Sequence, residues 1–148
     1  LFTANEGEEL MPLAKIASGG ELSRVMLALK VVLGNADSIG TFVFDEIDTG
    51  ISGVTAQKVA EKMHKVAKTK QILCITHLPQ IASMADNHYI IEKISQKGRT
   101  KTAIRLLKKN EAIRDIARLT SGAQVTDVTL NAAREMKELA DQYKTENR

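Results

Sequence analysis

Tryptophan is absent from this 148-residue sequence, and all aromatic residues together make up 3% of it. A core must therefore rest on Leu, Ile, Val, Ala and Met. Cysteine occurs once, at Cys74, which excludes an intrachain disulfide and suits a reducing cytoplasm. That thiol lies inside Ile72-Leu73-Cys74-Ile75 and reads as a buried structural group. No stretch approaches the roughly 18 apolar residues of a membrane span, and no signal peptide is visible, so no membrane partner is expected. Neither sign of charge dominates: 21 Lys and Arg against 18 Asp and Glu leave a formal +3. Such a balance permits a nucleic-acid surface without requiring one. Internal repeats, low-complexity tracts and a clear interdomain linker are also missing.

What is present is an ordinary globular balance of 43% apolar and 26% charged residues, which fits a single domain over 1–148. The first residue is Leu1 rather than Met, as expected of a piece of something longer. From Glu21, apolar residues at Leu22, Val25, Met26, Leu29, Val32 and Leu33 predict a helix with one buried face, ended by Gly34-Asn35. Thr41-Phe42-Val43-Phe44 predicts a buried strand that stops at Asp45 and Glu46. A second helix is expected over about 54–68, with Val59, Met63 and Val66 inward and His64 toward solvent. Gln71 to Thr76 predicts another buried strand, ending at His77. Strand, helix, strand in this space is a βαβ unit with parallel strands. Ligands in such sheets bind beyond the carboxyl ends of the strands, so Asp45, Glu46 and His77 should face one crevice.

The remaining chain predicts a short helix after Pro79 and a hairpin joined at Lys97-Gly98. Two helices follow, at about 111–120 closed near Gly122 and at about 127–144. The last of these should bury Val128, Ala132, Met136, Leu139 and Tyr143. The fold class is α/β, a parallel βαβ core followed by a β-hairpin and C-terminal helices. His88 gives no usable signal.

Three features carry chemistry. A strand ending in Asp-Glu suits phosphoryl transfer: Asp45 can hold Mg²⁺ through its water shell while Glu46 orients the attacking water. Ser18-Gly19-Gly20 before a helix can cradle phosphate, because unpaired N–H groups and the macrodipole favour anions. His77 can donate a hydrogen bond to a terminal phosphate. Taken singly, each also fits a plainer role: a solvated strand end, a helix cap, a strand-end histidine satisfied by a neighbour. Order and spacing bind them together. Ser18 to Asp45 spans 27 residues, and Glu46 to His77 spans 31, room for one helix and one strand each.

With those positions fixed, Lys15-Ile16-Ala17-Ser18-Gly19-Gly20-Glu21-Leu22-Ser23-Arg24 resembles the signature motif of ABC ATPases. Phe42 to Glu46 resembles their Walker B strand, Ile47-Asp48-Thr49-Gly50-Ile51-Ser52 their D-loop, and Thr76-His77 their switch histidine. The Glu-Leu-Ser-Arg continuation and the Asp-Glu-Ile-Asp-Thr-Gly-Ile-Ser-Gly string resemble the SMC-like branch rather than membrane transporters. Ala4-Asn5-Glu6-Gly7-Glu8 and the segment from Arg114 to Gly122 are most similar to bacterial DNA-repair members of that branch. The resemblance implies the C-terminal lobe of a P-loop NTPase head that uses ATP and Mg²⁺. It implies Asp45 for Mg²⁺, Glu46 for the hydrolytic water and His77 for the γ-phosphate. It also implies that Ser18, Gly19, Gly20 and Glu21 contact ATP held by an opposing head, with Asp48 near the dimer seam.

A Gly-x-x-x-x-Gly-Lys-[Ser/Thr] phosphate loop is missing, since no Gly-Lys pair occurs in the chain. The resemblance assigns that loop to an N-terminal lobe beyond a coiled coil. Implied partners are that lobe, a second head through ATP-dependent homodimerisation, and DNA. By itself the chain should hydrolyse ATP poorly or not at all, and the sheet should leave apolar surface open. The expected setting is cytoplasmic and nucleoid-associated, in double-strand break repair and recombination. Basic residues Lys97, Arg99 and Lys101 are candidate DNA contacts at the hairpin, although a solvated basic face fits them slightly better. The alternatives are a head of another SMC-like or RecF-type ATPase, or a non-catalytic dimerisation module.

Overall fold

The computed structural model describes residues 7, 9, 12, 18–33, 38–96, 99–122 and 124–147. The chain packs as two compact units, Leu1–His77 and Leu78–Arg148.

In the first unit, helix α1 (Gly19–Leu33) is followed by strand β1 (Thr41–Phe44), helix α2 (Gly53–Ala67) and strand β2 (Gln71–Cys74). β1 and β2 pair in parallel from Thr41↔Gln71 to Phe44↔Cys74, so α2 is the crossover of the expected βαβ unit. The ladder extends one step at each end, with Gln71 N–H donating to Gly40 at 2.8 Å and Ile75 N–H to Phe44 at 3.0 Å. α2 buries Val59, Met63 and Val66 as its spacing predicts, with Ala56 and Ala60 beside them. His64, expected toward solvent, is half-buried.

Two expectations of burial fail in this unit. Strand alternation sends Phe42, Phe44, Ile72 and Cys74 to a covered face, and Val43, Leu73 and Ile75 to an open one. Val43 is 66% exposed. The apolar runs that read as buried on both faces are covered on one. α1 likewise buries Leu27 among its large apolar residues, while Met26, Leu29, Val32 and Leu33 stay exposed. Periodicity reports a face that wants cover; it does not supply the cover.

The second unit runs through helix α3 (Pro79–Met84), strands β3 (Tyr89–Gln96) and β4 (Arg99–Leu106), and helices α4 (Lys109–Ser121) and α5 (Asp127–Glu146). The strands are antiparallel from Tyr89↔Leu106 to Gln96↔Arg99. That register leaves 97 and 98 as the connection; their conformation lies outside the described residues. Ala82, Ile113, Ile116, Ala117 and Ala133 form the core, with Leu119, Leu130 and Met136 packed against it. Gly122 takes φ 75° just after α4, the conformation that favours glycine at a helix end. Thr126 caps α5 by accepting from Thr129 N–H.

The stripe expected for α5 is rotated. Ala133 and Ala140 are its buried residues, whereas Val128 and Leu139 are exposed. Close packing selected the small side chains, and a reading that followed the large ones missed them. Lys137 sits on the same side, its Nζ donating to the carbonyls of Ser83 and Ala85 at 2.9 Å each. Those bonds pin α5 to the end of α3, and burial pulls the Lys137 ammonium below its ordinary pKa. His88, silent in the sequence, bonds Asp115 at 3.0 Å, and Asp115 also pairs with Arg118 at 2.7 Å.

Candidate functional site

Because β1 and β2 are parallel and end in register, their carboxyl ends open onto the same side of the sheet. There a crevice of about 240 Å³ is lined by Asp45, Glu46, Asp48, Thr49, Ile75, Thr76 and His77. The expected meeting of the two acids with His77 is what the first unit contains.

The acidic turn has an unusual backbone. Glu46 is at φ 59°, the one non-glycine residue with positive φ among those described, a conformation of order 1–3 kcal/mol above the ordinary regions. Local bonds hold it there. Glu46 N–H donates to Asp45 Oδ1 at 3.0 Å, and Glu46 C=O accepts from Thr49 N–H at 3.0 Å.

α1 grips the same turn from outside. Ser23 Oγ donates to the Asp45 carbonyl at 3.2 Å. Arg24 donates to the carbonyls of Ile47 at 3.0 Å and Thr49 at 2.8 Å. A Cβ on Gly19 would come within 2.6 Å of Glu46 Oε2, and one on Gly20 within 2.7 Å of the Glu46 carbonyl. The two glycines therefore have a steric reason to be there, beside the phosphate role read from the sequence. Ser23 and Arg24 stood in the signature string without an assigned task; their only sequence signal was that position.

At the head of α1, Ser18 N–H donates to Glu21 Oε2 at 2.8 Å, and Glu21 N–H donates to Ser18 Oγ at 3.3 Å. This reciprocal pair is a capping box. The Ser18 N–H bond holds the Glu21 carboxyl below its usual pKa. Ser18 itself is exposed, so capping leaves its surface open to a ligand.

Asp48 is 4% exposed. Its Oδ2 accepts from Thr76 Oγ at 2.7 Å and His77 N–H at 2.8 Å, and lies 2.9 Å from His77 Nδ1. The His77 ring is 70% exposed.

Asp45 is exposed at the strand end, with Oδ1 receiving the Glu46 N–H. One carboxylate with a free edge fits a hydrated Mg²⁺, which keeps several waters and asks few protein oxygens. No group of three or more His, Cys, Asp or Glu with metal-site spacing occurs among the described residues.

Cys74 lies just beneath the crevice. Burial, with the charges of Asp48 and Asp45 adding, pushes its thiol up to about 12. At pH 8 only about one thiol in ten thousand would be ionised, and the thiolate is the nucleophile. Iodoacetamide at pH 8 is thus expected to label the folded chain far more slowly than the denatured chain. Equal rates by mass spectrometry would contradict that environment.

Of the candidate DNA contacts, Lys101 is exposed on β4; Lys97 and the Arg99 side chain lie outside the described residues. Nearby Arg105 is engaged by Glu111 at 2.7 Å.

The fold is of the mixed α/β, P-loop NTPase kind found in SMC ATPases. A solved SMC ATPase, studied for ATP-driven dimerization and DNA-stimulated activation, matches with a TM-score of 0.50 and 21% identity over 80% of this chain and 70% of that one. The chain is similar to RecN proteins over almost all of its length. It is 50% identical over 145 residues to the DNA repair protein RecN of Bacillus subtilis, covering 98% of this chain and 25% of that protein. The RecN of Deinococcus radiodurans is 51% identical over 135 residues, and these cover 91% of this chain and 23% of that protein. The RecN of Treponema pallidum is 47% identical over 136 residues, 92% of this chain and 24% of the relative. The chain thus spans about a quarter of the length of these relatives. No family model matches it.

Proposed function

We propose that this chain is the signature and Walker B lobe, the C-terminal one, of an SMC-like ATPase head serving double-strand break repair and recombination. The observation that carries the reading is the crevice, where two strand-end carboxylates and His77 stand beside the Ser-Gly-Gly start of α1.

In this reading Mg²⁺ supplies charge neutralisation for phosphoryl transfer when it is bound with ATP beside Asp45. Glu46 orients and polarises the attacking water, and His77 contacts the γ-phosphate. The open end of α1, with Ser18, Gly19, Gly20 and Glu21, meets ATP carried mainly by a second head. An N-terminal P-loop lobe of the same protein completes each head, and ATP joins two heads into a homodimer. The uncovered faces of α1 and the β1–β2 sheet are compatible with a missing lobe. DNA would meet the basic hairpin at Lys97, Arg99 and Lys101. A cytoplasmic, nucleoid-associated setting suits this role. No helix among the described residues is long and apolar enough to cross a membrane. The resemblance to RecN proteins argues against another SMC-like head, and the assembled acid–histidine crevice argues against a non-catalytic module.

The test is Ser18→Arg in the full-length protein. Nucleotide binding by each head is expected to persist, while ATP-dependent association, followed by sedimentation velocity, is lost. Normal ATP-dependent dimers in that variant would remove Ser18 from the interface and overturn the trans contact.

A further inference from the structure

Asp48 is the most thoroughly committed side chain in the crevice. A carboxylate 4% exposed needs compensating donors, because a buried charge without partners is costly. Its donors come from the end of β2: Thr76 Oγ at 2.7 Å, His77 N–H at 2.8 Å and the His77 ring at 2.9 Å. The first two fix the backbone and hydroxyl that precede the ring. The third fixes the ring itself.

The ring contact has a chemical consequence. Asp48 approaches Nδ1, and an ionised carboxylate accepts but does not donate, so a proton is held on Nδ1. Nε2 is then the ring nitrogen left to meet a ligand in the crevice that His77 lines. A carboxylate behind an imidazole sets tautomer and ring orientation, and it balances positive charge when the other nitrogen also carries a proton. Without Asp48, an exposed histidine at a strand end would rotate freely and exchange tautomers.

We propose that Asp48 is a positioning residue that acts on the phosphoryl-transfer site through His77, holding Nδ1 so that Nε2 faces the terminal phosphate. The inference rests on the role given to His77 above. It differs from a role for Asp48 in touching nucleotide, since Oδ2 takes all three of these contacts within its own chain.

The test uses the full-length protein and four variants: His77→Ala, Asp48→Asn, Asp48→Ala and the double Asp48→Asn/His77→Ala. Asn can keep an oxygen acceptor for Thr76 and the His77 N–H while losing the charge that fixes the ring, which protects the fold if Asp48→Ala fails to fold. Asp48→Asn is expected to lower kcat for ATP about tenfold or more with KM within about twofold. The double variant should be no slower than His77→Ala alone, because one path has been cut twice. A double variant slower by the product of the two single effects, or an Asp48→Asn variant with unchanged kcat, would overturn the positioning role. Unchanged kcat in His77→Ala would instead overturn the underlying role of His77, and this inference with it.

Discussion

Replacing Glu46 by Gln in the full-length protein is expected to lower ATP turnover by about 10²–10⁴-fold, the range lost with a positioned general base. At about 1.4 kcal/mol per tenfold that is roughly 3–5.5 kcal/mol of transition-state stabilisation. Gln keeps the shape and a hydrogen-bonding oxygen but cannot polarise water as a carboxylate does. Asp45, which keeps its own carboxylate and its bond from residue 46 N–H, is untouched. ATP should therefore still bind, and dimers held by unhydrolysed ATP should persist. Phosphate release measures the first effect, and sedimentation in ATP measures the second. A variant that turns over normally and separates normally would remove Glu46 from the chemistry.

Gly20→Ala is expected to destabilise the fold, despite placing a better helix former within α1. Helix propensity favours Ala by about 1 kcal/mol. Against this stands a Cβ 2.7 Å from the Glu46 carbonyl and 3.0 Å from both the Thr49 carbonyl and Arg24. Two of the three obstacles are backbone, and they belong to the turn that Arg24 clamps. Forcing that turn away costs about 2–3 kcal/mol as overpacking, so the clash wins. A fall in Tm of roughly 5 °C is expected, with turnover lost because Glu46 moves with its carbonyl. Gly19→Ala is a useful contrast. Its Cβ would meet the Glu46 carboxylate tip at 2.6 Å, a side chain that can swing aside, so activity should suffer more than stability. Calorimetry of the two variants checks both statements, and an undiminished Tm in Gly20→Ala would refute the steric account.

The elements themselves were legible because the chain punctuates them. Alternation and three-four spacing located both parallel strands and α2, and a strand end followed by acids pointed to the crevice that is the candidate site. Gly122 announced the end of α4, and Lys97-Gly98 the hairpin connection. Burial was less legible. Val43 and Leu73 look like core in a string, yet among the described residues they lie on the exposed face of a two-stranded sheet. In α5 the buried Ala133 and Ala140 are too small to stand out beside Val128 and Leu139. The approach of α1 to the acidic turn was likewise invisible, since Ser23 and Arg24 bond to backbone carbonyls more than twenty positions away. Backbone acceptors leave no trace in residue identity. The buried Asp48 carboxylate is a similar case: its partners at 76 and 77 are adjacent only because β1 and β2 lie side by side.

The left-handed backbone at Glu46 sets thermal robustness against chemistry at one residue. Glycine occupies that region without penalty, so Glu46→Gly would relieve local strain while deleting the carboxylate. An engineering search that ranks variants by melting temperature would be drawn toward that exchange, since strained functional positions are where stabilising substitutions cost activity. Any such campaign on this chain should hold residue 46 fixed and seek its gains away from both the crevice and the apolar face of α1, which a second lobe would cover.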